Sequence, residues 1–144
     1  MGMYDKKETN PELEKSGVWM DYGDYRVKIA RAGGANRKYL NELQLATKPL
    51  KRALETNSVP AERQKEIMTK VFAKTIVMGW EMFDADKGEW VSGIEQKDGS
   101  VGKFSADLVE ATLTALPSVL EDIQKDAMDM ELYLASLRDD DTKN

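Results

Sequence analysis

The chain has 144 residues, 41% of them hydrophobic, a net charge of -5, and neither cysteine nor histidine. That is the size of one ordinary domain, able to bury a core without metal or disulfide help. The missing residue types exclude disulfide frameworks, thiolate zinc sites, cysteine nucleophiles and imidazole acid–base chemistry.

Charge is unevenly spread along the chain. Residues 1–75 carry 15 Lys/Arg against 10 Asp/Glu, whereas residues 76–144 carry 6 against 16. Such a field steers encounter with partners of opposite sign, including a second copy. The longest unbroken apolar run, 76–80, is too short to cross a bilayer, and the first ten residues hold no apolar leader core, so neither export nor membrane insertion is expected. Met1-Gly2 lacks the Ser or Thr that myristoylation needs at position 6, where Lys6 stands.

Residues 1–16 are polar and charged and read as a loosely packed arm. A single domain is expected over 17–137, followed by a solvated tail over 138–144. In the domain, Tyr25, Val27 and Ile29 alternate with Arg26, Lys28 and Ala30 behind the turn Tyr22-Gly23-Asp24, which predicts a β-hairpin from Val18 to Arg31. Gly33-Gly34 lacks the further residues of a phosphate loop or dinucleotide fingerprint, so it reads as a sharp strand-to-helix corner at positive backbone angles.

Tyr39, Leu40, Leu43, Ala46, Leu50 and Leu54 recur at helical steps and predict a helix over 36–56, kinked near Thr47-Lys48 by Pro49. Ser58-Val59-Pro60 then starts a long helix over 61–80, whose stripe runs through Ile67, Val71, Phe72, Ile76 and Trp80. Asp98-Gly99 suits a small second hairpin between Ile94 and Val101. Asp84, Asp86 and Glu95 fall into a calcium-loop register that fails at its sixth place, where Glu89 replaces the required glycine. Ser105 caps the next helix, and Pro117 opens a final one ending near Leu137.

The fold class expected is therefore mainly α with a small N-terminal β-hairpin (α+β), a compact bundle of four to five helices. No catalytic pairing, cofactor site or metal site emerges.

Two surfaces stand out as partner sites. Residues 26–52 hold eight cations against the single acid Glu42. Arg31, Arg37, Lys38 and Arg52 are the cations assigned to a partner. A calculated pI of about 4.9 and the lack of a nucleic-acid reading motif favour an acidic protein over DNA or RNA. Secondly, Leu113, Leu116, Leu120, Ile123, Ala127, Met130, Leu134 and Leu137 form a heptad-like seam. It suits either the domain's own core or a grip by Met128, Met130, Tyr133, Leu134 and Leu137 on a partner helix or second copy.

The stretch GVWMDYGDYRVKIARAGGANRKY (17–39) resembles the tail assembly chaperones of long-tailed bacteriophages. Further points of likeness follow in order: Thr75-Ile76-Val77-Met78-Gly79-Trp80-Glu81, a polar Asp/Gly loop, Phe104-Ser105, and Leu116-Pro117 ahead of Leu120-Glu121-Asp122-Ile123-Gln124. The resemblance implies a non-enzymatic assembly factor of the host cytoplasm, absent from the mature virion. It would bind the tape measure protein and recruit tail tube protein; the charge asymmetry and the seam add a homo-oligomer as a possible form. Two other classes stay open: a structural virion protein of the head-tail connector or tail, and a nucleic-acid-binding regulator using the 26–52 cations.

Overall fold

The computed structural model describes residues 2–137, so the expected solvated tail lies outside the described residues. The hairpin forms as the alternation predicts. Strands β1 (Val18–Asp21) and β2 (Tyr25–Ile29) pair antiparallel, with Val18 opposite Ile29 and Asp21 opposite Arg26. It is only half of a sheet. β2 also pairs with β3 (Val77–Asp84), and β3 with β4 (Glu89–Ser92), giving an antiparallel order β1-β2-β3-β4.

A helical bundle with one small hairpin is therefore the wrong architecture, and the error has one source. Ile76 to Trp80 continues the apolar stripe of the preceding helix, yet α5 (Ala61–Thr75) stops and the chain extends into β3. The β-branched run Thr75-Ile76-Val77 disfavours a further helical turn, and β2 offers a full ladder of partners from Tyr25–Met82 to Ile29–Val77. The polar loop over 84–88 then turns β3 back into β4.

The kink at Pro49 is present: α3 (Arg37–Thr47) passes through a 3-10 turn, Lys48–Leu50, into α4 (Lys51–Glu55). Pro60 itself takes the cap position of α5, while the Ser58 hydroxyl donates back to the Ala53 carbonyl at 3.1 Å. The small second hairpin forms as β5 (Ile94–Glu95) and β6 (Val101–Gly102). Ser105 caps α6 (Ala106–Ala115), accepting from the Leu108 amide at 3.1 Å, and Pro117 opens α7 (Pro117–Ala127). The final helix ends ten residues earlier than expected, and Met130–Tyr133 form a separate 3-10 turn.

Alternation sends Val27 and Ile29 to the inner sheet face, and a register shift opposite Lys28 and Ile29 brings both Val77 and Trp80, three residues apart, to that same face. There they join Phe72 and Val71 of α5, Leu113 of α6, and Leu120, Ile123 and Ala127 of α7 in the main core. The outer face carries Trp19, Arg26, Lys28, Glu81, Phe83 and Trp90. Residues 1–16 are not a uniformly loose arm. α1 (Met3–Lys7) is exposed, but α2 (Pro11–Ser16) buries Leu13 and Glu14. Among the described residues no helix is long and apolar enough to cross a membrane.

Candidate interaction surfaces

The most distinctive stretch of sequence, the glycine corner after β2, is where four parts of the chain meet. The Ala30 amide donates to the Ile76 carbonyl at 2.8 Å, Arg31 to Glu14 at 2.9 Å, and Ala32 to Ala127 at 2.9 Å. Asn36 is buried, and its side-chain amide donates to the carbonyls of Arg31 and Thr75 at 2.9 and 3.1 Å. Gly34 sits at φ +56°, and a Cβ there would collide with Glu14 Oε2. Its bare backbone makes room for the Glu14 carboxylate, which accepts from the Arg31 guanidinium and from the Ala35 amide at 3.2 Å.

Arg31 is thus held by an acid only 2% exposed and does not offer a free guanidinium to a partner. Arg26 is occupied as well. It pairs with Glu81 and lies between the Trp19 and Trp90 rings, 5.0 and 4.5 Å from their centroids. Two of the eight cations in 26–52 therefore serve the fold. Arg37, Lys38 and Arg52 are exposed, as are Lys48 and Lys51, and none of these five makes an ion pair among the described residues.

The C-terminal seam divides in the same way. Leu113, Leu120, Ile123 and Ala127 are core, whereas Leu116 points outward. Tyr133, placed by sequence among partner contacts, is fully buried between Leu13 and Val18, and its hydroxyl donates to the Ile29 carbonyl at 3.0 Å. Burial, reinforced by the negative charge of Asp126, raises its phenol well above the ordinary value. Tyr22 is raised also, first by burial and then by its 2.5 Å hydrogen bond to Asp126.

Around Tyr133 the two ends of the described chain clasp one another. Asn10 donates to the Tyr133 carbonyl at 2.7 Å, Ala135 to that of Glu8 at 2.8 Å, and Thr9 bridges to Leu134. Leu137 packs against this second core, Met130 and Leu134 are half-buried, and Met128 alone of the five proposed grip residues is exposed. Sequence reasoning missed Glu14 and Asn36, since polar residues at exposed-looking positions gave no signal of burial.

The surfaces open to solvent include α1, the elbow of α3 and α4, the flank of α6, Met128 after α7, and the outer sheet face. On the elbow, Leu45 is 67% and Leu54 41% exposed beside Lys48 and Lys51. On the outer face, Phe83 meets Trp90 edge-on, with centroids 5.2 Å apart. The outer face thus carries aromatic and Arg side chains, the types that anchor interfaces when water is excluded from them.

Comparison with curated proteins and with solved structures gives no match. A family model described as YdaY prophage protein matches residues 34–144, from the glycine that accommodates Glu14 through every later element of the fold. The chain therefore belongs to the YdaY prophage protein family and is of phage origin.

Proposed function

We propose that this prophage protein is an ATP-independent tail assembly chaperone, which holds the tape measure protein in the host cytoplasm, brings tail tube subunits to it, and leaves the finished particle. The observation that carries the reading is the set of exposed apolar side chains on its surface helices. Leu45, Leu54, Leu116 and Met128 all stand out among charged neighbours on a chain of phage origin. Small amphipathic contacts of this kind cover apolar stripes on a long helical client and yield when stronger tube contacts replace them. The ordered likeness to tail assembly chaperones over 18–127 supports the same reading. The nucleic-acid alternative is weakened, because Arg26 and Arg31 are engaged internally.

A structural virion component is the second reading, favoured by the outer sheet face. Its Trp19–Arg26–Trp90 stack has the composition of a permanent interface anchor. Quantitative mass spectrometry on complexes pulled down from the producing cell, and on finished particles, separates the two. Co-purification with a long helical protein and tube subunits, together with absence from particles, is the expected result. Fixed stoichiometry in the particles overturns the chaperone reading.

A further inference from the structure

We propose that residues 129–137 form an exchangeable strap, which leaves its seat on its own chain and fills the same seat on a second copy, so that two chains trade straps in a closed dimer. The exchange does not depend on the chaperone reading. It starts from a division of the apolar interior. Tyr133 belongs to a small core with Leu13 and Val18, joined by Met20, Leu132 and Leu137, whereas α7, which leads into the strap, is buried in the main core.

Every tie that holds the strap down reaches back 104 residues or more. Its 3-10 turn packs chiefly on α1 and α2. The Tyr133 carbonyl accepts from Asn10, the Tyr133 hydroxyl donates to Ile29, Ala135 donates to Glu8, and Leu134 bridges antiparallel to Thr9. All of these partners lie within residues 8–29, and a second copy carries the same ones. The seat therefore fits a partner's strap as it fits its own.

The junction suits a hinge. Ala127 accepts from the Ala32 amide at 2.9 Å, which fixes the end of α7 on the body. Beyond it Met128 is 59% exposed, and Asp129 is exposed and extended at φ -86° and ψ 101°. A backbone change at these two residues redirects all that follows. The strap holds its shape through its own bonds, Glu131 donating to the Asp129 carboxylate at 3.0 Å and Leu137 to the Leu134 carbonyl at 3.0 Å. An opened monomer leaves the Tyr133 ring and its slot in water and breaks the three hydrogen bonds to Asn10, Ile29 and Glu8. Closing onto a second copy recovers them all, so concentration decides which form prevails. With both straps exchanged the dimer is isologous, and growth stops at two.

The chain has no cysteine, so a disulfide can be placed where it reads the contact. Thr9 and Leu134 face each other across an antiparallel bridge, where Cα atoms stand about 4.5–5.5 Å apart, within disulfide reach. Full-length Thr9→Cys and Leu134→Cys chains are incubated together at high concentration, diluted, oxidised with copper phenanthroline and separated without reductant. A heterodimer is expected, rising with the incubation concentration and well in excess of the homodimers that either chain gives alone. The double variant Thr9→Cys/Leu134→Cys, oxidised while dilute, should close within one chain and then stay monomeric in sedimentation velocity where the wild type dimerises. If circular dichroism shows a misfolded variant, Glu8→Cys and Ala135→Cys, both exposed, take the same places with the same expectations. A heterodimer no more abundant than the homodimers, while the double variant closes on itself, overturns the proposal. So does a wild type that is monomeric at every concentration. A folded double variant that fails to close within one chain overturns it as well, since seat and strap would then not meet.

Discussion

Arg31 and Arg52 belong to one basic run of sequence and end in opposite circumstances. Arg31, at the glycine corner, is 22% exposed in its side chain and is held against buried Glu14; Arg52, on α4, faces solvent without an ion pair among the described residues. The residue type is the same, and the difference lies in what the rest of the chain brings to each. At the corner, residues 30–32 hydrogen-bond to Glu14 of α2, to Ile76 between α5 and β3, and to Ala127 of α7, whereas the elbow packs chiefly through α3 and Leu50. A charge becomes structural where burial makes leaving it unpaired expensive; where water surrounds it, it stays free for other uses.

The sharpest way to break this contrast is Glu14→Gln, which leaves the Arg31 guanidinium without its counter-charge. Losing one partner of a buried pair costs about 3–5 kcal/mol, and because Arg31 is partly solvated we expect the lower end, about 3 kcal/mol. Urea unfolding should show the midpoint fall with its slope unchanged. Gly34→Ala should follow at about 2 kcal/mol, from a strained positive φ and the displacement of Glu14, read in the same way. In the Glu14→Gln background its effect should shrink if the carboxylate contact carries much of the cost.

Alkaline titration probes the clasp. A phenol raised above its unfolded value near 10 contributes stability that is complete below that pH and drains away as the pH climbs towards the folded value. Tyr133 should therefore contribute a loss of about 1.4 kcal/mol per pH unit above 10. Tyr133→Phe, although less stable at neutral pH for want of the Ile29 hydrogen bond, should show a shallower alkaline slope. At the elbow, Lys51→Ala and Arg52→Ala should each move the urea midpoint by no more than about 0.5 kcal/mol equivalent. A larger shift would mean that those cations also serve the fold, and the contrast with Arg31 would collapse.

Local signals carried much of the architecture into the sequence. The alternation of Tyr25, Val27 and Ile29, the helix break at Pro49, the cap at Ser105 and the restart at Pro117 depend on neighbours within a few residues, and each is where the sequence places it. The four-stranded sheet was not legible. Ile76 to Trp80 satisfies a helical stripe and a buried strand alike, and what decides is a partner strand some fifty residues earlier. The same limit applies to the proposed partner residues. Tyr133 and Arg31 looked available because the groups that bury or bind them, Ile29, Leu13 and Glu14, are distant in sequence or lie in a segment whose composition suggested an arm. Arg52 keeps its exposure because little packs around the elbow, and Arg37 and Lys38 keep theirs on the solvent side of the first turn of α3.

The clasp also sets an order of events. The seat for the Tyr133 ring is built from Leu13, Val18 and the Ile29 carbonyl, all made early in synthesis, while its occupant follows 104 residues after Ile29. Closing so long a loop is entropically slow compared with forming the hairpin or α5. We therefore expect the small second core to close after the hairpin and α5, an order that slower hydrogen-exchange protection at Tyr133 than at Val27 during refolding would show.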